Sequence, residues 1–258
     1  MFLTTSRERV FYHQIDFPSG FLFDIIFVVI DMFERLISLI GEENLEKIKN
    51  AKILLIGIGG VGGFTLEALV RSGFSNITVI DGDTIDMTNL NRQIITNQEN
   101  IGNLKGNEAL KRYTNINPNL KLQVQNVFLT EDNFNQYINK QYDYIIDACD
   151  DINIKVELIK YATTNNIKII CALGTGKKLN STYLEITTLD KTNYDPLAKK
   201  LRNILRKENI TLKIPGVFSK EQPVKNEILA SAIFVPSVAG IYLANYVFLD
   251  IIKPQDNS

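Results

Sequence analysis

Gly57-Ile58-Gly59-Gly60-Val61-Gly62 carries the pattern G-x-G-x-x-G between an apolar run and an amphipathic one. The first glycine permits a tight turn, the second lets a phosphate approach the backbone, and the third lets the next helix lie close to the preceding strand. Free amides at the start of that helix then face an anion. Asp81 stands 22 residues after Gly59, at the end of a second apolar run, where an acid can accept hydrogen bonds from both hydroxyls of a ribose. This much suits NAD and ATP equally. Arg92 separates them. A redox site has no general need of a guanidinium here. A site that cleaves the α–β bond of ATP needs one to clamp the β- and γ-phosphates as charge moves onto pyrophosphate. Lys105, 13 residues later, can reach the same phosphates, and Asp150 is a natural Mg²⁺ carboxylate. Each residue alone is of a kind that caps a helix or faces solvent. Together on one edge of one sheet they read as a nucleotide site.

The elements that must bring them to that edge follow from periodicity. Strands are expected at 51–57, 76–80, 121–127, 142–147 and 168–172, and helices at 42–49, 61–72, 105–115, 132–139 and 154–164. Strands alternating with helices give an α/β, Rossmann-like, doubly wound and mostly parallel sheet. After Gly174 the pattern changes to a strand at 182–189, a basic helix at 196–208, a strand at 211–219 and an apolar helix at 234–252, which form a C-terminal extension.

Composition removes other chemistries. The chain has 258 residues, 45% of them hydrophobic and 22% charged, which suits a folded α/β domain and excludes intrinsic disorder. It holds one histidine, His13, and two cysteines, Cys149 and Cys171, so neither a disulfide framework nor a zinc site of two CxxC pairs can form. Cys149, between strand-end acids, reads as a buried small side chain ahead of a reactive thiol, and Cys171 as core. The formal charge of −1 conceals a split: residues 177–225 hold 11 Lys/Arg and 5 Asp/Glu, a local +6, leaving −7 elsewhere. Two readings of that segment stay open, a basic face for nucleic acid and an ordinary solvated helix with loops.

Residues 1–31 are atypical, with the aromatic-rich run at 21–30 interrupted by Asp24. Ten apolar residues are short of the roughly 20 that span a bilayer, and no signal-cleavage pattern follows. Two expectations stand side by side: an upstream extension with Met32 as the natural start, or an extra strand or helix packed on the surface. Residues 234–252 match a membrane span in length, but Pro236, Asn245, Asp250 and the small residues of Ser237-Val238-Ala239-Gly240 favour a buried helix. Peripheral membrane association through either run stays open, and the expected compartment is cytoplasmic.

With these residues in hand, the chain from Phe33 to Ile252 resembles the ubiquitin-activating-type (ThiF/MoeB/HesA-like) adenylating enzymes. The shared pieces are Phe33-x-Arg35 with Leu39-Ile40-Gly41, the glycine loop with Gly63, Asp81 to Gln93, Asp147 to Asp150 and Gly174-Thr175-Gly176. Ser219-Lys220-Glu221-Gln222-Pro223 and Phe234-Val235-Pro236-Ser237-Val238-Ala239-Gly240 look like the branch of the bacterial tRNA threonylcarbamoyladenosine dehydratases. The resemblance implies an adenylation core at 32–176, a substrate-facing and dimer-supporting region at 177–252, and a tail at 253–258. It implies that Gly57, Gly59, Gly60 and Gly62 line the nucleotide loop, that Asp81 holds ribose, Arg92 and Lys105 hold phosphates, and Asp150 holds Mg²⁺. Arg35 would enter the neighbouring subunit's ATP site in a homodimer. A monovalent cation, K⁺ or Na⁺, and a cysteine desulfurase with its sulfur-acceptor protein are further implied associates, and structural zinc is not.

The implied reaction dehydrates N6-threonylcarbamoyladenosine at position 37 of tRNA. The threonyl carboxylate attacks the α-phosphate of ATP, and the carbamoyl nitrogen or oxygen then closes a ring on the acyl-adenylate, releasing AMP. The nucleophile is tethered, so proximity replaces much side-chain chemistry. Lys199, Lys200, Arg202, Arg206 and Lys207 are the candidate tRNA contacts. The competing readings are adenylation of the C-terminal carboxylate of a ubiquitin-like sulfur-carrier protein, an NAD-dependent protein, and a structural dimer with a degenerate site. The thioester cysteine domain of ubiquitin activators has no room in this length.

Overall fold

The computed structural model describes residues 9–16, 22–29, 32–138, 141–225 and 230–253. They fall in two compact units, Met1–Leu45 and Glu46–Ser258. In the first, β1 (Arg9–Asp16) and β2 (Leu22–Val29) pair antiparallel, from Arg9↔Val29 to Asp16↔Leu22, so strands rather than a helix form within the atypical N-terminus. The parts of 1–31 outside those strands, and residues 254–258 of the tail, lie outside the described residues. α1 (Glu34–Ile40) follows, and Gly41, at φ +82°, separates it from α2 (Glu42–Asn50), which runs into the second unit.

The second unit alternates β3 (Lys52–Ile56), α3 (Gly62–Arg71), β4 (Asn76–Ile80), α4 (Lys105–Ile116), β5 (Lys121–Gln125), α5 (Phe134–Tyr137), β6 (Tyr144–Asp147), α6 (Ile152–Asn165) and β7 (Lys168–Ala172). β8 (Leu184–Thr188), α7 (Pro196–Lys207), β9 (Pro215–Ser219) and α8 (Phe234–Ile252) complete it. The strands form one seven-stranded sheet in the order β5-β4-β3-β6-β7-β9-β8, parallel except for β8, which pairs antiparallel with β9. This is the expected doubly wound sheet with its C-terminal extension.

Alternation along the strands feeds two layers. Leu54, Ile56, Ile145, Ile169 and Cys171 join Leu158, Ile159, Leu201 and Leu205 in one core, so α6 and α7 cover that face. On the other face α8 packs against α3, β7 and β9. α8 is long and apolar enough to cross a membrane by length and composition. Its residues Val235, Ala239, Gly240, Leu243 and Val247 are buried, whereas Phe234, Ile241 and Leu249 are exposed. Gly240 is the closest point: a Cβ there would stand 2.2 Å from the Val61 carbonyl oxygen, and the Gly240 carbonyl accepts the Thr65 hydroxyl at 3.1 Å.

Local chemistry shortens some elements. The helix expected at 132–139 is the single turn of α5. The Asn133 side chain accepts the Thr130 amide and donates to the Phe128 carbonyl, which offers the backbone an alternative to helix. β5 stops at Gln125, where the Val127 amide turns back to the Gln125 carbonyl.

Because the α3–α8 contact is backbone against backbone, Gly240→Val should lower stability by about 1–3 kcal/mol or more. A drop in the urea midpoint at constant m-value checks it.

Candidate active site

Strand order reverses between β3 and β6, so the loops after them diverge and leave a crevice at their C-terminal ends. Register brings the right residues to that level: Ile56 pairs with Ile80 on one side and with Asp147 on the other. Gly57, Asp81 and Ala148 therefore emerge side by side, and a cavity of about 690 Å³ opens among them.

The glycine loop is built by close approach. Gly57 has φ +82°, and a Cβ on Gly62 would stand 1.8 Å from the Gly57 carbonyl oxygen. α3 starts with no side-chain cap; the Gly63 amide donates to the Gly59 carbonyl at 3.0 Å, which leaves the Gly62 amide and those of the loop before it to face an anion. Gly57, Gly59, Gly60, Asp81, Arg92, Lys105 and Asp150 line the one cavity, and Gly62 lies directly behind the loop. The crevice thus gathers the residues expected around the nucleotide, and Arg35, expected to reach a neighbouring subunit, is exposed on α1 in the N-terminal unit.

Asp81 is 8% exposed, and its two carboxylate oxygens accept the amides of Ile58 at 2.7 Å and Asp83 at 2.9 Å. Burial pushes its carboxyl above the ordinary range, with Lys105 and those amides opposing. Besides facing the cavity, it fastens the glycine loop to the end of β4. The Lys105 ammonium does not stand free: it is buried and paired with Asp83 at 2.6 Å, and its own amide donates to the Asp83 carbonyl. Asp83 was not among the expected site residues; its sequence signal is the spacing Asp81-Gly82-Asp83, two acids flanking one turn. Arg92 is held by its stem, which packs against Gly60, and by one terminal nitrogen, which donates to the Thr88 carbonyl at 2.7 Å and to Asn91 at 3.0 Å. Gln93, 6% exposed on the cavity wall, was also missed; its Oε1 has no hydrogen-bond partner among the described residues.

Below the cavity lies a buried ion pair. Lys155 donates to Asp147 at 2.9 Å and to the Ala172 carbonyl at 2.8 Å, and both side chains are 0% exposed. Burial works against the lysine's charge, and the Asp147 carboxylate more than offsets it, so Lys155 stays protonated above its ordinary range. The other oxygen of Asp147 accepts the Cys149 amide at 3.2 Å and its thiol at 3.0 Å. Burial and that carboxylate push the thiol well up, which leaves Cys149 a poor nucleophile. Asp150 follows, exposed on the cavity rim, and Asp151 caps α6 through the amides of Asn153 and Ile154. Among the described residues no group of three or more His, Cys, Asp or Glu could hold a metal ion alone. A single carboxylate beside a triphosphate site suits Mg²⁺, which keeps waters and takes substrate phosphate oxygens as ligands.

Beyond β7 the basic segment sorts itself. Lys213 pairs with Asp190, Lys220 with Glu185, and Lys178 is buried against the Ser219 carbonyl. Lys199, Lys200, Arg206 and Lys207 remain exposed along α7. Arg202 is half-buried, and its guanidinium donates to the Leu189 carbonyl and the Thr192 hydroxyl, so it braces α7 as well.

Comparison with known proteins places this geometry. The model of the ThiF family matches residues 33–220. The chain is 35% identical to the tRNA threonylcarbamoyladenosine dehydratase of Bacillus subtilis (strain 168) over 244 residues, 87% of this chain and 96% of that one. It is 39% identical to the Haemophilus influenzae protein of the same name over 183 residues, 69% of this chain and 70% of that one. The crystal structure of Escherichia coli tRNA N6-threonylcarbamoyladenosine dehydratase in complex with ATP superposes with a TM-score of 0.82 at 35% identity, covering 86% of this chain and 93% of that one.

Removing one half of the buried pair leaves the other charge stranded. Lys155→Ala should cost about 3–5 kcal/mol, and Asp147→Asn combined with Lys155→Met should recover most of it. Urea unfolding of the three proteins measures both changes.

Proposed function

The chain belongs to the ThiF family, in its tRNA threonylcarbamoyladenosine dehydratase branch, and from that premise we propose that it uses ATP to dehydrate and cyclise threonylcarbamoyladenosine on tRNA. The observation that carries this reading is the extent of the likeness. The chain spans 96% of the Bacillus subtilis dehydratase. Similarity to a probable molybdopterin-synthase adenylyltransferase of Gracilaria tenuistipitata covers only 34% of that protein and 47% of this chain. The likeness to the dehydratase covers 87% of this chain, against 47% for the adenylyltransferase.

In this reading the amides at the start of α3 and the glycine loop receive the phosphates, and Asp81 faces the ribose while keeping the loop in place. Arg92 neutralises the β- and γ-phosphates as pyrophosphate leaves. Lys105 joins it by exchanging Asp83 for a phosphate oxygen; both partners already line the cavity. Asp150 would hold Mg²⁺, which supplies charge neutralisation on the triphosphate. The tRNA brings both the carboxylate that is activated and the group that attacks it, so the protein's task is orientation and exclusion of water. Cys149, its thiol held protonated by burial, has no covalent part.

Several finer points belong to the same proposal. The enzyme acts as a homodimer in which Arg35 completes the neighbouring site, and a K⁺ or Na⁺ ion sits near the nucleotide. α7 holds the anticodon arm through Lys199, Lys200, Arg206 and Lys207. A cysteine desulfurase with its sulfur-acceptor protein is an associated partner, and the enzyme works in the cytoplasm. Its adenylation core lies at 32–176 and its substrate-facing region at 177–252.

The test supplies ATP, Mg²⁺ and tRNA bearing threonylcarbamoyladenosine, then digests the tRNA and measures nucleoside mass. Loss of one water with release of AMP and pyrophosphate is the expected result; unchanged nucleoside with folded protein defeats the reading. Arg92→Ala should lower ATP–pyrophosphate exchange by about 10²–10³-fold without moving the thermal midpoint. Exchange at the wild-type rate removes Arg92 from its role.

A further inference from the structure

A second cavity of about 550 Å³ lies at the start of α7, lined by Tyr194, Asp195, Pro196, Lys199, Arg202, Gln222 and Pro223. One hydrogen bond ties its wall to a loop that borders the nucleotide cavity. Asp195, 4% exposed, accepts the Gly174 amide at 2.8 Å and the Ala198 amide at 3.0 Å, and Thr175, next to Gly174, lines the first cavity. The contact is close enough that a Cβ on Gly174 would stand 2.8 Å from Asp195. The opposite wall is equally fixed: Glu221 accepts the amides of Leu179 and Asn180, which pins the loop carrying Gln222 and Pro223.

Tyr194 is the unusual member. It has φ +49°, a left-handed conformation that is costly for a bulky residue, and its side chain is left 60% exposed at the cavity's edge. Folding gains little from placing an aromatic ring in water by a strained backbone. An exposed ring beside an ammonium and an amide is, however, how single-stranded nucleic acid is gripped: a base stacks on the ring, a phosphate meets the cation, and the amide reads a base edge.

We propose that this cavity receives an unstacked anticodon-loop nucleotide next to the modified one, its base on Tyr194 and its phosphate against Lys199, with Gln222 at the base edge. The proposal rests on the dehydratase reading. It gives the tRNA a fixed point one loop away from the ATP cavity, so the modified nucleoside is presented by its neighbour rather than by α7 alone. Arg202 serves as the floor, since its guanidinium is engaged with Leu189 and Thr192.

Tyr194→Asn removes the ring while keeping a residue that tolerates the left-handed backbone. With the full chain, its Kd and KM for threonylcarbamoyladenosine-bearing tRNA should rise roughly tenfold to a hundredfold. Its Kd for ATP, measured by calorimetry, should stay within twofold. Tyr194→Phe should restore tRNA affinity. Lys199→Gln should weaken tRNA binding and reduce its salt dependence by about one counterion. Wild-type tRNA affinity in Tyr194→Asn overturns the proposal, as does loss of ATP binding to the same extent as tRNA binding. A wild-type enzyme that binds tRNA but leaves its nucleoside unchanged sinks the dehydratase reading instead, and the Tyr194 variants then still decide the nucleotide subsite through binding alone.

Discussion

The ammonium of Lys155 sits wholly out of water between Asp147 and the Ala172 carbonyl, so the ends of β6 and β7 are joined by a charge as well as by their ladder. Taking two charges out of water costs several kcal/mol, and their attraction offsets this only when geometry is good and remaining lone pairs are satisfied. Both conditions hold: the second oxygen of Asp147 takes the Cys149 amide and thiol. The arrangement fixes the turn from Ala148 to Asp150, and with it the rim of the cavity on the side where the sheet reverses order. An apolar pair could fill the same volume but would not hold that turn by its amide.

A parallel device operates across the crevice. Asp81 binds the amides on both sides of its strand end, and Asp83 neutralises Lys105. Three acids, Asp147 and Asp81 buried and Asp83 exposed at the cavity, each at or just past the end of a strand, thus organise the loops around the crevice. Their negative charge beside a phosphate site looks adverse. In the proposed reading its effect is selective: a phosphate would have to bring enough charge to displace a carboxylate from Lys105, which would favour a triphosphate with its divalent ion over a lone monoanion.

Much of this was legible in the sequence because parallel strands buried on both faces leave continuous apolar runs. β4, β7 and α8 lie within the boundaries that hydropathy alone assigns. The glycine loop, Asp81, Arg92, Lys105 and Asp150 were readable because their spacing from strand ends is fixed by the fold. What was not legible depends on long-range partners. Nothing local to Lys155 says that it lies at 0% exposure under a site, and nothing in Arg202 distinguishes it from Lys199, which shares its helix but not its hydrogen bonds. Asp83 hid behind Asp81 because a single acid is enough to explain a ribose. The backbone of Tyr194 has no sequence signature, since left-handed turns usually announce themselves by glycine or asparagine.

Pro236, in the first turn of α8, lies against Gly60 and forms part of the nucleotide cavity, whose earliest wall residue is Ile56. The cavity therefore closes across most of the chain's length, and translation delivers its final wall after every other. A growing chain can lay down the glycine loop, both acids and the arginine, yet it cannot enclose a nucleotide until the last helix has docked on α3. Contacts so distant in sequence form late and slowly. Completion of the cavity wall is, by this wiring, coupled to the docking of α8 on α3.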